Sequence, residues 1–287
     1  MSRTRHLVVI TGATRGLGRL AAERFWKAGE DLILVARHEK DLKIVAEEFG
    51  STGRPGQKIY HFAVDLSDLE HIPDLIAGIQ KSVGEPDILI NNAAIQGPIG
   101  PVQTNDWSEW QKCLNVCLLA PVRLSQGLVP SMIKAGYGRI VNISGGGATA
   151  PRPNFTSYAT AKCGLVRFSE TLAQEVRTQG ITVNCVAPGA MNSALTQNII
   201  QAGMQYAGDT EFDSAVNLIR TNPHTEERAA DLVYFLTTEP CAAITGKLIS
   251  AVWDPWEKIS AAAPELKDSD VYTLRRIVPK ERNLTIE

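Results

Sequence analysis

Seven short runs of aliphatic and β-branched residues recur along the chain, at residues 6–11 (HLVVIT), 31–36 (DLILVA), 58–64 (KIYHFAV), 86–90 (PDILI), 138–143 (GRIVNI), 181–186 (ITVNCV) and 247–252 (KLISAV). Most are apolar throughout rather than alternating, as strands buried on both faces of a parallel sheet are. Between them, apolar positions repeat at helical spacing over residues 19–28, 39–49, 69–83, 107–126 and 157–179. Pro121 should kink or divide the fourth of these helices, because proline removes a backbone N–H and crowds the preceding turn. Strand and helix alternate without a composition break. This predicts an α/β fold, a doubly wound, seven-stranded parallel sheet with helices on both faces, in a single domain over residues 1–252. Residues 253–287 exceed what that fold needs and are expected to form a C-terminal extension.

The first strand ends in a turn punctuated by Gly12, Gly16 and Gly18, and helical periodicity follows at once. Glycines permit a tight turn and close approach of a phosphate, while the helix N-terminus behind them offers free N–H groups and a partial positive charge. The arrangement predicts a dinucleotide site. Arg37 follows the second strand, at the point of a nucleotide-binding βαβ unit that faces the adenosine ribose. An acidic residue there would hold a free 2′-hydroxyl, whereas an arginine pairs with a 2′-phosphate. Arg15, inside the glycine turn, adds a second positive charge, so the sequence favours NADP(H) and leaves NAD(H) possible.

Tyr158 and Lys162 stand four residues apart in a predicted helix, on one face and about one turn apart. An ammonium held that close favours the phenolate and should bring proton transfer nearer neutral pH than the ordinary phenol value of ~10. The pair reads as a general acid/base for a carbonyl or an alcohol. Ser144 closes the fifth strand, at the carboxyl end, where open α/β sheets place their ligands. Gly145, Gly146 and Gly147 behind it leave an open approach, flanked by Pro153, Asn154 and Phe155. Asn115 lies inside a predicted helix, where asparagine is unfavourable unless its amide is bonded. Asn91-Asn92-Ala93-Ala94 ends the fourth strand with small side chains that admit a flat ring and amides that can pin neighbouring loops.

Composition narrows the class further. A net charge of -2 with acids and bases interleaved leaves no basic stripe, so neither nucleic acid nor a membrane is expected as a partner. The apolar run at residues 7–10 is too short for a signal peptide or a membrane span, and a cytoplasmic protein is expected. Five scattered cysteines without a CxxC and five separated histidines argue against a disulfide framework and a metal site; Cys113 and Cys117 share a helical face and read as core. Residues 192–225 read as a specificity loop in which Met204, Tyr206, Phe212 and Leu218 are candidate pocket walls. In the extension, Val271, Leu274, Ile277 and Val278 should form one apolar face that docks on the body or on a neighbouring subunit.

Taken in order, Thr11-Gly12-x-x-x-Gly16-x-Gly18, Asn91-Asn92-Ala93-Ala94, Asn115, Ser144, Tyr158-x-x-x-Lys162 and Pro188-Gly189 resemble the compact branch of the short-chain dehydrogenase/reductase family, over roughly residues 6–252. The resemblance implies a Rossmann fold, a nicotinamide cofactor and hydride transfer to or from a carbonyl carbon. With Arg15 and Arg37 it suggests an NADP(H)-dependent carbonyl reductase acting on a small organic substrate. By the same resemblance, Tyr158 is the acid in reduction and the base in oxidation. Lys162 lowers its pKa and holds the nicotinamide ribose, Ser144 donates to the substrate oxygen, and Asn115 binds the water that links Lys162 to solvent. Gly12, Thr14, Arg15, Gly16, Leu17 and Gly18 would line the phosphates, and Asp65 and Leu66 the adenine. Asn92, Ala93 and Ala94 would meet the neighbouring ribose; Pro188, Gly189, Met191 and Ser193 would border the nicotinamide. A homodimer or homotetramer is implied likewise. An NAD-dependent alcohol dehydrogenase is the alternative. A sugar-nucleotide epimerase or dehydratase is disfavoured by the glycine spacing and the short substrate region, and a non-enzymatic cofactor sensor by the complete Ser-Tyr-Lys set. Three departures from the family pattern stand out: Ala94 for the usual glycine, Ser193 for a common threonine, and Trp253-Asp-Pro-Trp256 where Asp-Gly-Gly is common. The first two are mild.

Overall fold

The computed structural model describes residues 5–284. Strands β1 (Leu7–Thr11), β2 (Asp31–Ala36), β3 (Ile59–Ala63), β4 (Ile88–Asn91), β5 (Gly138–Ile143), β6 (Ile181–Ala187) and β7 (Leu248–Ser250) form one sheet in the order β3-β2-β1-β4-β5-β6-β7. Every adjacent pair is parallel. Helices α1 (Gly16–Ala28), α2 (Glu39–Gly50) and α3 (His71–Ser82) connect the first four strands, and α4 (Trp107–Leu114) and α5 (Ala120–Ala135) lead to β5. Helix α6 (Thr156–Glu175) joins β5 to β6. Helices α7 (Ala194–Ala202), α8 (Met204–Ala207), α9 (Asp209–Thr221) and α10 (Thr225–Phe235) then lead to β7.

The pleat sorts each strand between two cores. Val8 and Ile10 of β1 and Leu32 and Leu34 of β2 face α1, α2 and α10, whereas Val9, Ile33 and Val35 face α3, α5 and α6. With both faces covered, β1, β2 and β4 are apolar at nearly every position, as the sequence pattern required. Strand order reverses between β1 and β4, which opens a crevice outside their carboxyl ends where such sheets bind ligands.

Three stretches differ from the sequence reading. The long helix runs to Ala135, and its interruption falls ahead of Pro121: Asn115–Leu119 form a π turn in which the Ala120 N–H donates to the Asn115 carbonyl. Pro121 has no N–H to return to that turn, so the wider winding sits where a regular bond would be missing. By length and composition Trp107–Ala135 could cross a membrane, but half of its most apolar 18-residue stretch is buried, and the helix packs against α3 and α6, so core packing accounts for its apolarity. Residues 192–225 form helices α7 to α9 and the start of α10 rather than a loop.

The third difference is in the extension. Residues 271–278 form no helix, and Val271 and Ile277 are exposed, so the expected apolar face does not exist; Leu274 alone of the four packs inward, against Ala148, Val166 and Cys185. Polar contacts set this path instead. Lys247 Nζ donates to the carbonyls of Ser269 (2.8 Å) and Val271 (3.0 Å), the Leu248 N–H to Tyr272 (2.8 Å), and the Leu274 N–H to Glu170 Oε1 (2.6 Å). The apolar anchor lies earlier, where Trp256, Ile259, Ala263 and Leu266 join the core beside α10, with Trp256 against Phe235 at 5.5 Å between ring centroids.

Candidate active site

Thr11, buried at the end of β1, joins the glycine turn to β4. Its Oγ1 accepts the N–H groups of Asn92 and Ala93, each at 3.0 Å, and the Asn92 amide donates back to the carbonyls of Thr11 (2.9 Å) and Gly12 (3.3 Å). Such contact requires glycine. A Cβ on Gly18 would lie 2.3 Å from the Gly12 oxygen, and one on Gly12 would lie 2.9 Å from the Asn92 amide. Gly12 (φ +65) and Gly16 (φ +52) both adopt the left-handed region, but a Cβ on Gly16 would meet nothing within 4 Å. Arg15, the N-cap residue of α1, makes no side-chain cap, which leaves the first N–H groups of that helix available to an anion. The open turn, the uncapped helix end and the exposed Arg15 fit a dinucleotide diphosphate.

Arg37 lies exposed at the carboxyl end of β2, close enough to Asp65 to act on its charge. Burial raises the Asp65 carboxyl, but hydrogen bonds from the Ser67 N–H (2.9 Å) and hydroxyl (2.8 Å), with the Arg37 charge, outweigh it and hold the group below its usual range. Leu66 is buried beside it. The Asn115 amide reaches this same loop, donating to the Ser67 carbonyl at 2.9 Å, and so ties its own turn to the Asp65 loop.

Tyr158 and Lys162 are both buried on α6. Lys162 Nζ donates to the Ile143 carbonyl at 2.7 Å and lies 5.5 Å from the centroid of the Tyr158 ring. The phenol hydroxyl rests on Gly145, where a Cβ would approach it to 2.4 Å. In the protein without cofactor or substrate, burial drives the Tyr158 phenol up rather than down; the neighbouring Cys117 adds to the rise and Arg152 opposes it. Ser144 is fixed by its N–H to the Val186 carbonyl (2.8 Å), and its buried Oγ has no protein partner among the described residues. It is a hydroxyl left free to donate.

A buried polar chain sets the height of α6 over the sheet. Asn91 donates to Asn142 Oδ1 (2.8 Å), Asn142 donates to Ser169 Oγ (2.7 Å), and Ser169 donates to the Leu165 carbonyl (2.7 Å). On the far side of the crevice, Gly189 follows buried Pro188 in the left-handed region (φ +83). Ser193, expected beside the nicotinamide, caps α7 by accepting the Thr196 N–H, and the Thr196 hydroxyl donates to the Met191 carbonyl at 2.6 Å. The structure thus gathers the ends of β1, β4, β5 and β6 around one crevice. Sequence reasoning gave no role to the Thr11 hydroxyl, although a hydroxyl residue closing a strand before a glycine turn was the available signal. It also passed over Arg152, for which no local pattern spoke. A groove of about 380 Å³ between α1 and α2, lined by Arg19, Trp26, Phe49 and Arg54, lies apart from these groups and carries none of their chemistry.

Residues 6–203 match the short chain dehydrogenase family. The chain belongs to that family. This short-chain dehydrogenase is 35% identical over 191 residues to the 3-oxoacyl-[acyl-carrier-protein] reductase FabG of Haemophilus influenzae, covering 67% of this chain and 76% of that one. It is 30% identical over 249 residues to D-beta-hydroxybutyrate dehydrogenase of Rhizobium meliloti, covering 84% and 95%. Among solved structures, L-sorbose reductase of Gluconobacter frateurii, complexed with NADPH and L-sorbose, matches with a TM-score of 0.74 and 28% identity over 86% of this chain and 94% of that one. As a short-chain dehydrogenase the protein is an oxidoreductase that interconverts a CH–OH group and a carbonyl of a small molecule with NAD(P).

Proposed function

We propose that the protein is an NADP(H)-dependent carbonyl reductase for a small organic substrate. The exposed Arg37 at the carboxyl end of β2 supports this reading: at that strand end of a nucleotide-binding βαβ unit an arginine would pair with a 2′-phosphate, whereas an acidic residue would serve NAD(H). Arg15 adds charge on the same rim, and the NADPH held by the related L-sorbose reductase agrees.

The bound nicotinamide supplies the hydride. Ser144 Oγ and the Tyr158 hydroxyl hold the substrate oxygen from the end of β5, Tyr158 gives up its proton as charge develops there, and Lys162 offsets the phenolate left behind. Asp65 and Leu66 flank the adenine, Asn92, Ala93 and Ala94 a ribose, and Pro188, Gly189 and Met191 the nicotinamide. Asn115 would bind the water that links Lys162 to solvent, and its amide also holds the Asp65 loop. Calorimetric titration with NADPH and NADH tests the cofactor reading: NADPH should bind at least ten-fold more tightly (about 1.4 kcal/mol), and Arg37→Ala should erase the difference. Equal or tighter binding of NADH would favour an NAD-dependent alcohol dehydrogenase. The assembly is proposed to be a homodimer or homotetramer, which light scattering checks.

A further inference from the structure

Helices α7 to α9 are joined to the catalytic loop by an apolar contact and one ion pair. Phe155, just ahead of α6, packs with Ile199, Ala207 and Ala215, with Phe212 and Ile99 at the margin. Beside it, Arg152 Nε and Nη2 donate to Glu211 Oε1 and Oε2, both at 2.8 Å, a two-pronged pair across from the loop to α9. The guanidinium lies 4.0 Å from the centroid of the Phe155 ring and 5.8 Å from that of Tyr158. Its Nη1 comes within 3.4 Å of where a Cβ on Gly146 would be, and the Tyr158 hydroxyl rests on Gly145 next door. Consecutive glycines therefore carry the proton donor and a cation side by side, between Ser144 and Tyr158.

A carbonyl compound whose oxygen lies on Ser144 and Tyr158 brings its substituents to this guanidinium. Planar guanidinium matches a carboxylate in two-pronged geometry, and its stacking on Phe155 preorganises the fork. We propose that Arg152 is the specificity residue of the site, that it selects a carbonyl compound bearing a carboxylate, an oxo acid, and that Glu211 holds the fork until the substrate carboxylate replaces it. Such an exchange never leaves the buried face of the guanidinium unpaired, and the released Glu211, itself partly exposed, returns to water. The inference rests on the reductase reading, which supplies the position of the substrate oxygen.

The test compares 2-oxobutanoate, acetoacetate and levulinate with their methyl esters, by NADPH and NADH consumption and by calorimetry with NADP+ present. In the wild-type protein at least one acid should exceed its ester ten-fold or more in kcat/KM. Arg152→Met should bring that ratio close to one, Arg152→Lys should restore part of it, and Glu211→Gln should raise it. A merely structural pair would lower acid and ester together, and that result, or a wild-type protein indifferent to the carboxylate, overturns the proposal. If no compound is reduced, the reductase reading falls. Calorimetry then still decides the anion site, since binding of an acid that is lost in Arg152→Met sustains it and the absence of such binding overturns it.

Discussion

Tyr158 sits among Cys113, Val116, Cys117 and Ala161, and that setting keeps its phenol protonated beyond the ordinary value. The sequence placed Tyr158 and Lys162 on one helical face but could not report that the ammonium donates to Ile143, which only the packing of α6 on β5 determines. Tyr158→Phe should lower turnover by about 10²–10⁴-fold while NADPH binding stays near wild type by titration. The shift also has a sign for stability. An unfolded chain releases the phenol proton near ~10 and the folded chain releases it later, so the contribution is intact below that pH and is lost as pH rises above it. Urea unfolding at neutral pH and above the ordinary phenol range should therefore show a smaller alkaline loss in Tyr158→Phe than in wild type. Gly145→Ala would drive a methyl into the phenol hydroxyl and should reduce kcat more than it changes cofactor affinity, read by steady-state kinetics against titration.

At the scale of elements, the crevice depends on how strand ends are tied. Thr11→Val keeps the shape of the side chain but leaves the partly buried N–H groups of Asn92 and Ala93 without their acceptor, at about 1 kcal/mol for each; loss of stability in urea and weaker NADPH binding should appear together. Strands and the first helices were legible because continuous apolar runs and 3.6-residue periodicity depend only on which faces are buried. The π turn was not legible, since Pro121 announces an irregularity without saying on which side it is accommodated. Nor was the helical form of residues 192–225, whose apolar positions make sense only against Phe155 and Ile99. Asn115 was flagged correctly as a mid-helix asparagine in need of a partner, but its partner, the Ser67 carbonyl, is distant in sequence.

The whole molecule closes its β7 edge with its own extension, through Tyr272, Lys247 and Glu170, and this removes an unpaired strand edge from solvent. Trp256→Ala should cost about 3–5 kcal/mol, as for other buried tryptophans, and appear as a large drop in the denaturant midpoint. What the sequence by itself determined is the local part: parallel strands from continuous apolar runs, a tight glycine turn at Gly12, Gly16 and Gly18, and a helix that carries Tyr158 and Lys162 on one face. These follow from backbone sterics and periodicity, which neighbours in sequence suffice to express. The tertiary structure alone decided that burial raises the Tyr158 phenol, that the apolar anchor of the tail is Trp256 while residues 271–278 are held by polar contacts, and that Arg152 meets Glu211 beside the loop after β5. Desolvation and ion pairing depend on which distant segments pack together, and no local pattern encodes that.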